Sequence, residues 1–221
     1  MSQQVSCTPS GGGCGINSLL SSLSGGFPNV ALPFTITPDG GLVLAGRPGF
    51  GTMSSDRALY AATQADSLHP EDVSISVVVR QSSTMTNANV TGTYRVITLE
   101  DNLTTTAQVT TRLISGTAQF DGLTKGVFTT LAGQVDRTEG CPAGACSINT
   151  TITGTSPPVS DIRSYAVTST GILTFTGGNI PAGATVSGGV SPDASFFVVQ
   201  MRADNVGGTS TRSITLGVKT P

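Results

Sequence analysis

Val73-Ser74-Ile75-Ser76-Val77-Val78-Val79-Arg80 and, near the other end of the chain, Ser213-Ile214-Thr215-Leu216-Gly217-Val218-Lys219 are two versions of one pattern. Aliphatic residues take every second place and hydroxyl residues fill several of the places between, the period of a β-strand with one apolar and one wet face. The likeness extends upstream in register. Cys14-Gly15-Ile16-Asn17 aligns with Cys146-Ser147-Ile148-Asn149 at an offset of 132. Phe34-Thr35-Ile36-Thr37 aligns with Tyr165-Ala166-Val167-Thr168, and Gly40, Leu42 and Gly46 with Gly171, Leu173 and Gly177, at an offset of 131. Beyond a length change in a Gly/Pro loop, Ser54, Asp56 and Tyr60 fall on Ser191, Asp193 and Phe197, and Ile75, Val77 and Val79 on Ile214, Leu216 and Val218. Internal repetition of this kind decides the architecture before any motif does. Residues 141–221 read as a copy of residues 1–83, with 84–140 unmatched.

Two organisations follow. Either the repeating unit is about 140 residues long and is entered midway, or two paired halves of one fold carry residues 84–140 as an insertion. The first is preferred, because Gly92-Thr93-Tyr94-Arg95-Val96 after the polar Gln81-Ser82-Ser83-Thr84 reads as the opening of a unit. Residues 1–83 are then an incomplete copy and 84–221 a complete one. Strands are expected at 92–99, 107–120, 126–132, 146–154, 163–168, 171–176, 185–200 and 211–219. The shorter copy adds 33–37, 41–45, 51–63 and 73–81. Asp39-Gly40, Asp121-Gly122 and Thr170-Gly171 are expected as hairpin turns, since Gly accepts the positive φ that such turns need. The expected fold class is all-β, antiparallel strands in a barrel or sandwich, closed so that Thr/Val-rich edges are not left exposed. Ile16, Leu19, Leu20 and Leu23 fall at helical spacing, an alternative to strand in that segment.

Composition narrows the function. The 221 residues include 37% hydrophobic residues, enough for a substantial core, yet only 11% charged ones, less than half of the roughly 25% usual in globular proteins. With 11 basic and 13 acidic residues no basic field exists to hold a nucleic-acid backbone. The lone His69 and the scarcity of carboxylates argue against acid–base or metal chemistry, and no cofactor is expected. No run reaches the roughly 18 apolar residues of a helical membrane span, and Met1 to Val5 has neither a basic start nor an apolar core, so a signal peptide is not expected in this sequence.

Cys7 and Cys14, and Cys141 and Cys146, form two short-range pairs in Gly- and Pro-rich surroundings, and two local disulfides are expected. A zinc site from all four is the competing reading, but six residues between the first pair is wide for a zinc knuckle. Asn89, Asn102 and Asn149 stand in N-x-Ser/Thr sequons that a Thr-rich chain generates by chance. His69 lies in Ser67-Leu68-His69-Pro70-Glu71-Asp72, where a triad or a cation site from Asp66, Glu71 and Asp72 is conceivable. No Gly-x-Ser-x-Gly elbow or Asp-x-Asp-x-Asp-Gly loop accompanies it, which favours a solvated hairpin loop. Asp56 and Asp193 recur in Ser-x-Asp turns, where a side chain accepts local backbone N–H groups. Tyr94, Phe128, Tyr165, Phe175, Phe196 and Phe197 are expected to fill a core, or to line a cavity if the barrel is open inside. The runs Gly11-Gly12-Gly13 and Gly188-Gly189 lack the Lys and the helix of a phosphate loop.

The order Gly-Thr-Tyr (92–94), Ala-Gln-Phe-Asp-Gly (118–122), Tyr-Ala-Val-Thr-Ser-Thr-Gly (165–171), Gly-Val-Ser-Pro-Asp (189–193) and Ile-Thr-Leu-Gly-Val-Lys (214–219) resembles tandem β-repeat secreted and surface proteins and lipoproteins of Gram-negative bacteria. The resemblance covers 84–221 and, truncated, 14–81. It implies a non-enzymatic extracellular or cell-surface structural module. Its partners would be other copies, as a homo-oligomer or polymer, or other surface proteins. The expected role is a subunit of a fibre, layer or adhesive assembly formed by strand pairing between chains. Alternatives are a small-molecule-binding barrel like a lipocalin in outline, and a viral or phage shell protein.

Overall fold

The computed structural model describes residues 4–7, 14–17, 34–36, 41–44, 49–53, 58–65, 73–80, 82–104, 108–130, 134–140, 147–153, 158–206 and 208–221. The chain divides into two compact units, Met1–Val78 and Val79–Pro221. In the first, β1 (Gln4–Cys7) and β2 (Cys14–Asn17) make an antiparallel ladder. Then β3 (Phe34–Ile36), β4 (Gly41–Leu44), β5 (Gly49–Met53), β6 (Leu59–Ala65) and β7 (Val73–Val79) form a five-stranded sheet in chain order. Ile16 lies in β2, so the helical spacing there gives way to strand. The β-branched Ile beside Cys and Asn suits the ladder better than a helix. Leu19, Leu20 and Leu23 lie outside the described residues, as does Asp39-Gly40.

The second unit is all-β and closed. Its strands are β8 (Thr91–Thr104), β9 (Gln108–Asp121), β10 (Lys125–Thr130), β11 (Gln134–Gly140), β12 (Ser147–Thr153), β13 (Val159–Val167), β14 (Ile172–Thr176), β15 (Thr185–Val190), β16 (Phe196–Val206) and β17 (Thr209–Lys219). Eight of these follow one another around an antiparallel barrel, β8-β9-β10-β13-β14-β15-β16-β17, and β17 returns to β8 along eleven residue pairs from Tyr94↔Lys219 to Thr104↔Thr209. Barrel, rather than sandwich, is the outcome. The hairpin β11–β12 lies outside this ring: β10 covers Gly116–Phe120 of β9, and β11 takes over the same edge along Gln108–Leu113. The expected strand 185–200 is two, because Ser191–Ser195 turns the chain, with Ala194 at φ +55°. β11 was not among the expected strands; its Asp136, Arg137 and Glu139 hide the alternation.

The core is a layer of aromatic rings at one end of the barrel. Phe120 is its hub, with ring centroids 5.4 Å from Tyr94, 6.0 Å from Phe128, 5.0 Å from Tyr165, 5.9 Å from Phe175 and 5.6 Å from Phe197, most of them edge-to-face. Such contacts contribute about 0.5–1.5 kcal/mol each beyond their buried area. Rings of this size fit inside eight strands only where facing positions are empty. A Cβ on Gly217, which pairs with Phe197, would lie 2.2 Å from the Phe197 ring, and one on Gly126, opposite Phe120, 2.9 Å from the Phe120 ring. Gly116 and Gly188 let backbones approach instead: a Cβ there would meet Thr129 O at 2.3 Å and Val198 O at 1.8 Å, so the strands coil tightly at these two points.

Residues 82–90 floor the barrel. The Ser82 and Met85 N–H groups donate to Thr170 O and Ser169 O at 3.1 and 3.0 Å, and a 3-10 turn, Asn87–Asn89, follows. Met85 and Val90 are buried among the aromatics. Asn87 ties the floor to two strand ends, its amide nitrogen donating to Leu123 O and its Oδ1 accepting the Val167 N–H at 2.7 Å.

β17 overturns the simplest reading of its alternation. Ser213 is 7% exposed and, with Thr215 and Gly217, faces the lumen, whereas Leu216 and Val218 are 41% and 61% exposed on the outer wall. At Gly217 the cause is volume, since Phe197 from β16 occupies the space a side chain would take; Ser213 lies opposite Met201, and Thr215 Oγ1 bonds to Thr98 Oγ1 at 2.8 Å.

Phe120→Ala is expected to destabilise the second unit by about 3–5 kcal/mol in urea unfolding. Gly217→Ala should cost roughly 1–3 kcal/mol by overpacking, and much less in a Phe197→Leu background. Strictly additive costs would contradict the ring-over-glycine packing.

Candidate functional site

Four places in the two units combine unusual chemistry or exposure: the barrel floor, its mouth, its outer wall, and the sheet of the first unit, whose outermost strands among the described residues are β3 and β7. At the floor, Tyr94 and Tyr165 carry the buried phenols. Tyr94 donates to Ala194 O at 2.7 Å and Tyr165 to Val90 O at 3.0 Å. Burial pushes both up to about 12, helped at Tyr94 by the neighbouring Tyr165 and Asp193 and at Tyr165 by Asp121. A phenol held neutral and hydrogen-bonded to a carbonyl is a fastener, not a base.

The carboxylates near the floor tie turns. Asp121 Oδ1 accepts the N–H groups of Leu123, Thr124 and Lys125 at 2.8–2.9 Å, and these bonds, that from Lys125 first, lower its pKa. This makes 122–124 a three-residue connection, with Gly122 at φ +75°, in place of the two-residue turn expected at Asp121-Gly122. Asp193 accepts Ser191 Oγ–H at 2.6 Å and the N–H and hydroxyl of Ser195, and its pKa is lowered chiefly by the Ser191 bond. Ser191 in turn accepts the Phe196 N–H at 3.1 Å. The Ser-x-Asp motif thus closes the turn between β15 and β16, as its residue types predicted.

At the mouth a cavity of about 130 Å³ opens among Val96, Thr98, Glu100, Phe128, Arg163 and Met201. It is small beside the roughly 300–1,000 Å³ of typical small-molecule sites. Its charges are already engaged: Glu100 accepts from the Asn102 amide at 2.7 Å and sits 3.7 Å from Arg112, while Arg163 bonds Asp161 and lies over the Phe128 ring at 4.7 Å. Of the aromatics considered for a ligand cavity, Tyr94, Tyr165, Phe175 and Phe197 are packed in the core, with Phe128 against it; Phe196, whose neighbours on β16 point the other way, is partly exposed.

On the outer wall the register aligns apolar residues across four strands. Val198, Leu216 and Ile97 are consecutive partners on β16, β17 and β8, and Ile214, Leu99 and Leu113 are consecutive partners on β17, β8 and β9. Ile97 is 55% exposed. The exposed part of this patch spans three strands, Leu216 on β17, Ile97 on β8 and Leu113 on β9, while Val198 on β16 is buried at 8%; exposed apolar neighbours of this kind are a feature that interaction faces share.

In the first unit, Cys7 and Cys14 are direct cross-strand partners in the β1–β2 ladder. In the second, the β11–β12 ladder runs to Gly140↔Ser147, the residues that flank Cys141 and Cys146. The β1–β2 hairpin is a separate two-stranded sheet, whereas β11–β12 extends the ten-stranded sheet beyond the ring through β9; Cys141 and Cys146 themselves lie outside the described residues. So do Asp56, Asp66, His69, Glu71 and Asp72. Among the described residues no cluster of His, Cys, Asp and Glu is placed to hold a metal ion. Asn89 and Asn102, from the sequons, are engaged within the fold, Asn89 accepting the Thr86 N–H at 2.8 Å and Asn102 the Thr211 hydroxyl at 2.6 Å. The surfaces that sequence reasoning missed are the outer wall, whose signal needs strand register, and the floor, whose Asn87 carries no motif. Comparison of the chain with known protein families, with curated proteins and with solved structures found no match.

Two measurements test these assignments. Peptide mapping without reductant is expected to link Cys7 to Cys14 and Cys141 to Cys146; thiols that react freely until a chelator-sensitive metal is added would argue for zinc. The buried phenols have folded pKa values above the unfolded value of 10, so the folded state binds more protons between pH 10 and about 12. Their contribution to stability is intact below pH 10 and is lost as pH rises toward 12. Urea midpoints of Tyr94→Phe should fall less steeply across that window than those of the parent protein.

Proposed function

We propose that this chain is a non-enzymatic structural protein of the cell exterior, a subunit that joins an assembly by pairing the strands of its first unit with those of another chain. The observation that carries the reading is the contrast between the two units. The second closes its sheet, β10 on β9 and β17 on β8, whereas the first is a five-stranded sheet with β3 and β7 as its edges among the described residues. Those edges read Phe-Thr-Ile and Val-Ser-Ile-Ser-Val-Val-Val, without Lys, Glu, Pro or any other residue that natural proteins use to blunt an edge. A strand added to such an edge gains a row of backbone hydrogen bonds that depend little on charge. The chain's composition agrees: few charged groups, many hydroxyls, and turn carboxylates whose oxygens are consumed by local N–H groups.

The apolar stripe on the outer barrel wall offers a second contact of the same low-charge kind. An extracellular setting fits the paired cysteines, since disulfides persist in oxidising compartments. The small, half-polar cavity at the mouth gives the alternative of a ligand-carrying barrel little room.

Sedimentation of the full chain over a wide concentration range is expected to show association that grows with concentration and changes little between low and high salt. Val77→Lys, which places a charge on the edge strand β7, should weaken it at least tenfold. A monodisperse monomer at every concentration would overturn the proposal.

A further inference from the structure

Among the described residues β3 and β7 end the sheet of the first unit, and the gap between them has a definite width. The strands of that sheet match part of the second unit one for one: β3 to β7 carry the residues that align with β13 to β17, Phe34 with Tyr165, Leu42 with Leu173, Tyr60 with Phe197, and Val77 with Leu216. The hairpin that precedes them, β1–β2, matches β11–β12 through Cys14-Gly15-Ile16-Asn17 and Cys146-Ser147-Ile148-Asn149. In the second unit the path from β17 back to β13 is completed by three further strands, β8, β9 and β10. β17 pairs with β8, with Leu216 opposite Ile97, and β13 pairs with β10, with Ile162 opposite Val127.

We infer that the β3–β7 sheet accepts a three-stranded antiparallel segment of the β8–β10 kind, which enters between β7 and β3 and closes a second eight-stranded barrel. The inference rests on the strand-pairing reading above and names the partner that it requires. Two considerations select this occupant. Closure of a barrel ties strand number to tilt and interior volume, and β3–β7 repeat the alternation of β13–β17 strand for strand, with Gly51 in the place of Gly188 although Val78 stands in that of Gly217, so three strands, as in the second unit, match the gap and one or five do not. Second, another copy of this chain holds its own β8–β10 between β17 and β13 along two complete ladders, eleven pairs at one edge and six at the other. Its release would open the barrel and expose the aromatic core. The donor is therefore not the β8–β10 of another folded copy but a further segment of that kind: about forty residues that open with a Gly-x-aromatic strand start, as at Gly92-Thr93-Tyr94, and alternate thereafter with apolar side chains to the lumen.

The test supplies the segment. A second copy of residues 82–132 is joined in front of Met1 of the full chain, where the offset of 132 between Cys14 and Cys146 places it in repeat register. Amide exchange at β3 and β7 is expected to slow at least tenfold, and self-association to fall by a similar factor, since the edges are occupied. Val77→Cys should cross-link on oxidation to Ile97→Cys in the added copy and not to Thr98→Cys, the neighbour on the opposite face. A second form, with the copy behind Pro221 on a Gly/Ser linker, guards against misfolding of the first and is expected to protect the same edges. If neither form protects β3 and β7 nor cross-links in register, and both still associate, the edges pair directly between copies, which overturns the three-strand partner and leaves the assembly reading standing. If the parent chain never associates but the added copy cross-links Val77 to Ile97, the reverse holds: the partner is right and self-assembly is wrong.

Discussion

Everything in the second unit is arranged around the edge-to-face contacts of Phe120. Its ring touches five others, and no ring in the layer can move without displacing one of its neighbours. An eight-stranded barrel has an interior just wide enough to be filled by side chains. Six aromatic rings in one layer exhaust that width, and consequences for the wall follow. Gly126 and Gly217 stand where Phe120 and Phe197 need an empty wall. Ser213 and Thr215 face inward on β17 beyond the layer, where they line the cavity at the mouth. The apolar residues of the same strand are turned outward. The layer thereby sets the composition of both the inner and the outer surface.

The floor and the layer are coupled through polar atoms. Tyr94 and Tyr165 each belong to the ring cluster and each spend their hydroxyl on a carbonyl, one in the β15–β16 turn and one at the end of the 3-10 turn. Asn87 does the same work from the other side, linking the floor to β13 and to the β9–β10 turn. The buried hydroxyls are satisfied and therefore inert, so burial and hydrogen bonding here support a structural part and no chemical one.

Much of the fold was legible in the residues. Alternation at 107–120 located β9 within one residue at each end, and the Gly-Thr-Tyr start and Ile-Thr-Leu-Gly-Val-Lys end bracket the barrel. Other features were not. Alternation identifies two faces of a strand without saying which is inside, and in β17 the inside at Gly217 is decided by Phe197 on the neighbouring strand. Charged residues in β11 concealed a strand that extends the edge of β9 outside the ring. Turn chemistry was legible at Asp193, where Ser and Asp two residues apart specify a local hydrogen-bond set. The strands of the first unit were legible chiefly through their alignment with the second, which lends each of them a partner to read against.

The ends of the barrel lie together. The chain enters the second unit through the floor into β8 and leaves by the end of β17, and these are adjacent strands, with Tyr94 opposite Lys219 and the Thr220 N–H donating to Thr93 O at 2.8 Å. Tension applied across this unit in a chain of such modules would pull along the hydrogen bonds that join β8 to β17, not across them. Bonds loaded in this direction break one after another, like a zipper, and not as a row. A barrel with its ends placed in this way is expected to yield by peeling, and the first pair to part, Tyr94 with Lys219, is anchored in the aromatic layer itself.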